Sequence, residues 1–273
     1  MAVPNHLRQL VALMFVEEEK ARNMRSLAGG PVCPQSNAAR SQDGNGYARL
    51  KAVMDIVLAL ALMALAAPLV IIAALMVKLT SRGPAFYSQT RLGLRGRPYT
   101  LYKIRTMRHN CEHLTGPCWS VLGDPRITRV GRFLRRTHLD ELPQLWNVLR
   151  GEMSLVGPRP ERPEFVAGLE VVVPYYRARL AVRPGMTGLA QVQLPADTDL
   201  ASVRRKLAYD LYYVRQLSLW LDVRVLASTV LYVWGVPFPA LCRLFWLPGR
   251  EAVERVYEKW QAQAEPAPQL QPA

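Results

Sequence analysis

Two adjacent carboxylates, Asp140 and Glu141, stand in the densest polar stretch of the chain, DPRITRVGRFLRRTHLDELPQLWNVLRGEMSLVGPRP, residues 124–160. Arg126, Arg129, Arg132, Arg135 and Arg136 precede them. A spacing of three to four sets several of these arginines on one helical face. Paired carboxylates beside guanidinium forks suit a metal–pyrophosphate site. A divalent ion bridges carboxylate and phosphate oxygens, and the forks hold the remaining oxygens. A plainer reading also fits: the acids cap a helix, and the arginines form a solvated or lipid-facing basic strip. Spacing alone leaves both open.

Local signals say how the acids are positioned. Asp140 reads as a helix N-cap, with Pro143 in the first turn, where a missing amide costs nothing. Leu142, Leu145, Trp146 and Leu149 then share one side, and Gly151 ends the helix. A carboxylate at a helix N-terminus is kept ionised by the dipole and the free amides. Gly157-Pro158-Arg159-Pro160 is a stiff turn that fixes one more arginine. Arg183-Pro-Gly-Met-Thr-Gly188 is a second constrained loop, whose glycines admit close approach of a phosphate or sugar. Turn residues and short β-rich pieces over 84–104 predict a hairpin. Helices are expected over 127–150, 161–180 and 198–216.

The largest physical signal lies upstream. Residues 52–77 are apolar apart from Asp55. A helix of that length reaches across a bilayer core of about 30 Å. Pro68 interrupts it and predicts a kink. Arg49 and Lys51 precede the run, and Lys78 and Arg82 follow it. Basic residues resist translocation, so both ends favour the cytoplasm and a re-entrant helix bent at Pro68 is expected, with a single span and a buried soluble helix as the alternatives. Residues 219–247 carry Trp220, Trp234, Phe238, Phe245 and Trp246, broken by Pro237 and Pro239. They read as interfacial helices, with an ordinary core-packing pair as the alternative. Residues 5–27 read as an amphipathic helix and 28–46 as a linker. The tail after Trp260 has a disordered composition. No apolar region follows a basic cap at the N-terminus, so a cleaved signal peptide is not expected.

The chain has 273 residues and a formal net charge of +14. Such charge attracts nucleic acid, anionic lipid or phosphorylated small molecules, and composition alone does not choose among them. Four scattered cysteines give no disulfide framework. His109, Cys111, His113 and Cys118 could be read as a zinc cluster, but no second close cysteine pair completes it, and loop residues are the simpler reading. There is no Walker loop, GxGxxG turn, GxSxG elbow or HExxH helix.

From Lys51 to about Asp222 the chain resembles the bacterial sugar transferase family, the monotopic polyprenyl-phosphate phosphoglycosyl transferases that start glycan assembly. The resemblance rests on MDIVLALALMALAAPLVIIAALMVKLTSRGPAFYSQTRLG, LYKIRTM, the 124–160 block with the following Glu, and YYRARLAVRPGMTGLAQV, in that order. It implies a mainly α fold with a small β-hairpin: a re-entrant membrane helix, a cytosolic α/β catalytic domain and interfacial amphipathic helices. The boundaries expected are 1–48 helix and linker, 49–82 membrane helix, 83–222 catalytic domain, 223–260 interfacial helices and 261–273 tail.

It also implies the chemistry. Asp140 would attack the β-phosphate of a UDP-sugar donor, and the phosphosugar held on its carboxylate would pass to polyprenyl (undecaprenyl) phosphate. Asp140 and Glu141 would be the catalytic pair and hold Mg2+. Lys103, Arg105, Arg135, Arg136 and Arg159 match the family's phosphate-binding cations, and Pro68 its re-entry proline. The implied setting is the inner (cytoplasmic) membrane, with the catalytic domain facing the cytoplasm and membrane lipid as a partner. No nucleic acid is expected; a homo-oligomer is left open.

Three departures stand out. Ala67 precedes Pro68 where the family often has Ser. Gln191 is followed by Val-Gln-Leu-Pro195 instead of a Gly-Arg-Asn segment, so Arg204 or Arg205 would have to replace that arginine. The segment ahead of the membrane helix is short, as in the minimal members. Two other functions compete: an inactive membrane scaffold of the same fold, and a basic nucleic-acid-binding protein.

Overall fold

The computed structural model describes residues 46–111, 123–195, 197 and 199–262. The predicted helix at 5–27, the linker, His113, Cys118 and the tail after 262 lie outside the described residues.

Helix α1 (Gly46–Thr80) is 35 residues long, roughly 50 Å at the standard rise, and its apolar window has a mean hydropathy of 2.9. The backbone stays helical through Pro68. Its buried residues Asp55, Ala59, Ala66, Ala73 and Val77 recur at intervals of four and seven, so one narrow stripe packs along most of the helix. Small alanines there let the rest of the chain come close. The outer face, including Val57, Leu65, Ile71, Ile72 and Leu79, is exposed.

Both ends of α1 are tied to the same body. At its start, Tyr47 Oη donates to Asp222 Oδ2 at 2.5 Å and Lys51 Nζ to the same oxygen at 2.6 Å. At its end, the Arg105 guanidinium bonds Arg82 O, Ser81 O and Ser81 Oγ at 2.6, 3.0 and 2.7 Å.

The hairpin is as expected: β1 (Phe86–Leu92) pairs antiparallel with β2 (Pro98–Ile104). The expected helix over 127–150 is broken into α2 (Arg129–Arg136), a 3₁₀ turn (Leu139–Gln144) and α3 (Leu145–Leu149). The break follows His138, whose φ of 55° is left-handed and cannot continue a helix. Asp140 is therefore not an N-cap; it lies in the first turn of the 3₁₀ segment. Gly151 at φ 72° ends α3 as predicted. Trp146, expected on the packed side, is 52% exposed.

The sequence did not suggest a second sheet, in which β3 (Ser154–Val156) pairs parallel with β4 (Gly185–Thr187). Its glycines serve the backbone. A Cβ at Gly157, Gly185 or Gly188 would collide with main-chain atoms of the opposite segment. These glycines bring two loops together, where close approach of a ligand was expected. Helix α4 (Pro163–Val172) stops short of 180 and is followed by a 3₁₀ turn, Tyr176–Ala181. Then come α5 (Leu200–Arg215), α6 (Leu219–Val233), α7 (Phe238–Leu244) and α8 (Arg250–Ala262). Trp234 and Trp246 in the α6–α7 region are 81% and 80% exposed. That fits the interfacial reading better than core packing.

Candidate active site

The end of β2, the start of the 3₁₀ turn and the turn after β3 meet around the two acids. Asn147 makes that meeting possible. Fully buried in α3, its Nδ2 donates to Thr100 O and Glu152 Oε2, both at 2.7 Å. Its Oδ1 accepts from Tyr102 N at 3.3 Å. A polar side chain in the apolar run LWNVL is the signal that sequence reasoning passed over; buried amides need partners. This clamp sets β2 beside the acid-bearing turn.

Lys103 Nζ, at the end of β2, then donates to Glu141 Oε1 at 2.7 Å, and Arg159 Nη2 donates to the same oxygen at 2.8 Å. Burial alone would raise Glu141; the Arg159 and Lys103 charges outweigh it and hold the carboxyl well below the usual carboxylate range. The Lys103 ammonium is pushed down by burial, against the pull of Glu141. The Arg159 guanidinium is held further up, first by Glu141. Its side chain is still 44% exposed, so it can meet a ligand.

Asp140 differs from its neighbour. It is 6% exposed and makes no hydrogen bond or ion pair among the described residues. Burial, then the Glu141 charge, pushes its carboxyl up; Lys103, Arg135 and His138 oppose this. Arg135 approaches from α2, with Nε donating to Thr106 Oγ1 at 2.9 Å. A Cβ on Gly131 would overlap the Thr106 carbonyl, so glycine is what lets α2 lie this near β2.

The structure thus brings Lys103, Arg135 and Arg159 to the acids. It does not bring the others. Arg105 spends its head group on the carbonyls of Ser81 and Arg82, the two residues that follow α1. Arg136 is exposed and forms no ion pair with either acid. Arg126 forms a two-pronged pair with Asp124, Nη2 to Oδ2 at 2.6 Å and Nε to Oδ1 at 2.9 Å, while Arg129 and Arg132 are exposed. The arginine row therefore does not converge; only its Arg135 faces the pair. Arg204, suggested as a replacement contact, donates to Val172 O at 3.3 Å and is exposed, as is Arg205. No cluster of three or more His, Cys, Asp or Glu exists among the described residues; His113 and Cys118 of the candidate zinc cluster lie outside them.

A buried carboxylate with no hydrogen bond or ion pair among the described residues, a neighbour locked between two cations and a half-open arginine form a site for an anionic ligand, where a carboxyl can act as nucleophile or as general acid–base. Comparison with known proteins finds a family model and relatives that match most of the chain. The family model described as "Bacterial sugar transferase" matches residues 46–235. The UDP-glucose:undecaprenyl-phosphate glucose-1-phosphate transferase of Caulobacter vibrioides is 48% identical over 66% of this chain and 68% of its own length. The exopolysaccharide production protein PSS of Rhizobium leguminosarum is 46% identical over 66% of this chain and 93% of its own. The UDP-N-acetylgalactosamine-undecaprenyl-phosphate N-acetylgalactosaminephosphotransferase of Aeromonas hydrophila is 42% identical over 67% of this chain, but only 43% of its own length is matched.

Proposed function

Because the chain belongs to the bacterial sugar transferase family, we propose that it moves a phosphosugar from a UDP-sugar to undecaprenyl phosphate, with Asp140 as the attacking group. The observation that carries this is the asymmetry of the pair: Glu141 is held between Lys103 and Arg159, while Asp140 makes no hydrogen bond or ion pair among the described residues.

The donor's diphosphate binds against Lys103, Arg135 and Arg159. An Asp140 oxygen forms a bond to the β-phosphorus. The bond from that phosphorus to the bridging oxygen breaks, and UMP leaves with the electron pair. The cations stabilise the charge that gathers on the phosphoryl and leaving oxygens. In the second half, an oxygen of the lipid phosphate bonds to the same phosphorus. The bond to Asp140 breaks, and the carboxylate is restored.

The residues fit magnesium in a limited way. Asp140 and the second oxygen of Glu141 are free of hydrogen bonds among the described residues, and a hard cation accepts one or two carboxylates when phosphates complete its shell. Bound there, magnesium would neutralise pyrophosphate charge.

The same reading places α1 in the membrane without crossing it. Supporting this, both its ends and its small-residue stripe are bonded to one body, leaving the apolar outer face for lipid. That topology sets the acids on the cytoplasmic side of the inner membrane, at the lipid surface where the acceptor phosphate lies.

Incubating the protein with UDP-glucose or UDP-N-acetylgalactosamine, without lipid acceptor, tests the nucleophile. Intact mass should rise by one phosphosugar and fall back when undecaprenyl phosphate is added. Turnover by Asp140→Ala at the wild-type rate would end the proposal.

A further inference from the structure

The turn that presents Arg159 is bonded to the rest of the molecule at five consecutive residues. Gly157 N donates to Thr187 O and Gly185 N to Pro158 O, both at 2.9 Å. Arg179 Nη2 donates to Arg159 O at 2.9 Å, Arg91 Nη1 to Pro160 O at 3.0 Å, and Leu92 N to Glu161 O at 3.0 Å. Pro158 and Pro160 have no amide to donate, so the anchoring at 158–160 falls on carbonyls.

Arg179 is the more enclosed of the two arginine anchors, at 7% exposure against 19% for the Arg91 side chain. Its Nη2 also lies 2.7 Å from Asp210 Oδ2, and its Nη1 donates to Tyr176 Oη at 2.8 Å. The guanidinium stands over the Tyr176 ring, 5.2 Å from its centre. With its fork engaged inside the protein, Arg179 is not placed to grip substrate. Its reach ends on the main chain of the residue whose own guanidinium meets Glu141.

We propose that Arg179, braced by Asp210 and Tyr176, is a positioning residue for Arg159: it fixes where that guanidinium meets Glu141 and the donor's diphosphate. The proposal rests on the function proposed above. A rigid shell behind a binding arginine matters because a displacement of about 1 Å at a reacting group can cost on the order of 100-fold. Lysine cannot reproduce a planar fork shared among three partners.

The test is a double-mutant cycle on the full chain in detergent. UMP release is followed with undecaprenyl phosphate and whichever of UDP-glucose or UDP-N-acetylgalactosamine the wild type turns over faster. Arg159→Ala is read first: unchanged release there sinks the role given to Arg159, and the positioning proposal with it. If Arg159→Ala lowers release, Arg179→Lys in the wild-type background should lower it by about 10- to 100-fold, with KM for the UDP-sugar rising. In the Arg159→Ala background the same substitution should change release by less than about 2-fold, since nothing is left to position. An equal fold-loss in both backgrounds means a merely structural role and overturns the proposal. Tyr176→Phe keeps the ring and deletes one acceptor, so it serves should Arg179→Lys fail to fold. Its loss, about 3-fold by the lost hydrogen bond, should likewise vanish without Arg159; a loss that persists overturns the proposal.

Discussion

Helix α1 borders two clusters built from the same ingredients, and they serve opposite ends. Near its C-terminal half, Leu139 of the acid-bearing turn packs against the Ala73, Val77, Ile104 and Leu134 cluster, with Asp140, Glu141 and Lys103 beside it. At its start, Asp222 and Asp55 gather around Lys51. Asp222 accepts from Tyr47 and Lys51, and the Tyr213 hydroxyl lies 2.7 Å from Oδ1 and 2.9 Å from Val156 O, donating to one of them. Asp55 Oδ1 accepts from Leu155 N at 3.3 Å. The difference between Asp222 and Asp140 is saturation; Asp55, whose Oδ2 makes no hydrogen bond and lies 3.8 Å from Lys51 Nζ, stands between them. A carboxylate whose acceptors are filled from three elements is a joint, and Asp222 joins α1, α5 and α6. A carboxylate with no hydrogen bond or ion pair among the described residues, as Asp140 is, beside cations that are themselves supported, has its acceptors open to a ligand.

Substituting Asp140 separates these roles most sharply. Asp140→Asn should reduce transfer by on the order of 10⁴-fold, while thermal unfolding stays near wild type because no hydrogen bond is lost. A large fall in melting temperature would put Asp140 in the class of Asp222.

The converse belongs to Asp222→Ala. It takes away the closer of the two acids around Lys51, at 2.6 Å against 3.8 Å for Asp55, and should cost about 3–5 kcal/mol, or roughly 10 °C in melting temperature for a domain of this size. Release of UMP per folded molecule should be nearly unchanged. Loss of turnover at full stability would mean the joint also does chemistry.

How far this division was legible in the sequence depends on the residue. The acid pair, the hairpin, the apolar helix and Arg159 were readable, because local spacing and turn chemistry mark them. Arg105 was not: its neighbours in LYKIRTM look alike, and only the fold decides that residue 103 faces Glu141 while residue 105 turns to the end of α1. The arginine row failed for a related reason. Helical spacing was assumed across 126–136, but the helix starts at Arg129, and Asp124 takes Arg126. Asn147, Arg179 and Asp210 escaped notice because each acts across long sequence separations that no local period encodes.

Arg105→Ala tests that reassignment with a smaller effect. Freed carbonyls at Ser81 and Arg82 should cost about 1–3 kcal/mol, seen as earlier chemical unfolding. KM for the UDP-sugar should hold within a factor of about 2, the scatter of such contributions. A tenfold rise in KM with unchanged unfolding would return Arg105 to the phosphate site.

The finest distinction is in pH, where two buried acids should pull stability in opposite directions. Burial pushes the Asp210 carboxyl up to about 6 in spite of Arg179 alongside. The folded state then holds its proton more tightly than the unfolded chain, whose Asp titrates near 3.9. That contribution is complete below about pH 4 and is lost as pH rises through 6. Glu141 lies below its unfolded value, so its contribution is present above about pH 4.5 and is lost on acidification. Melting temperatures of wild type, Asp210→Asn and Glu141→Gln from pH 4 to 7 isolate each by difference. The wild type's advantage over Asp210→Asn should shrink as pH rises across that range, whereas its advantage over Glu141→Gln should be unchanged above about pH 5 and shrink only on further acidification. An Asp210 difference that grows with pH would mean the Arg179 charge, and not burial, governs that carboxylate, and would make Asp210 a second Glu141.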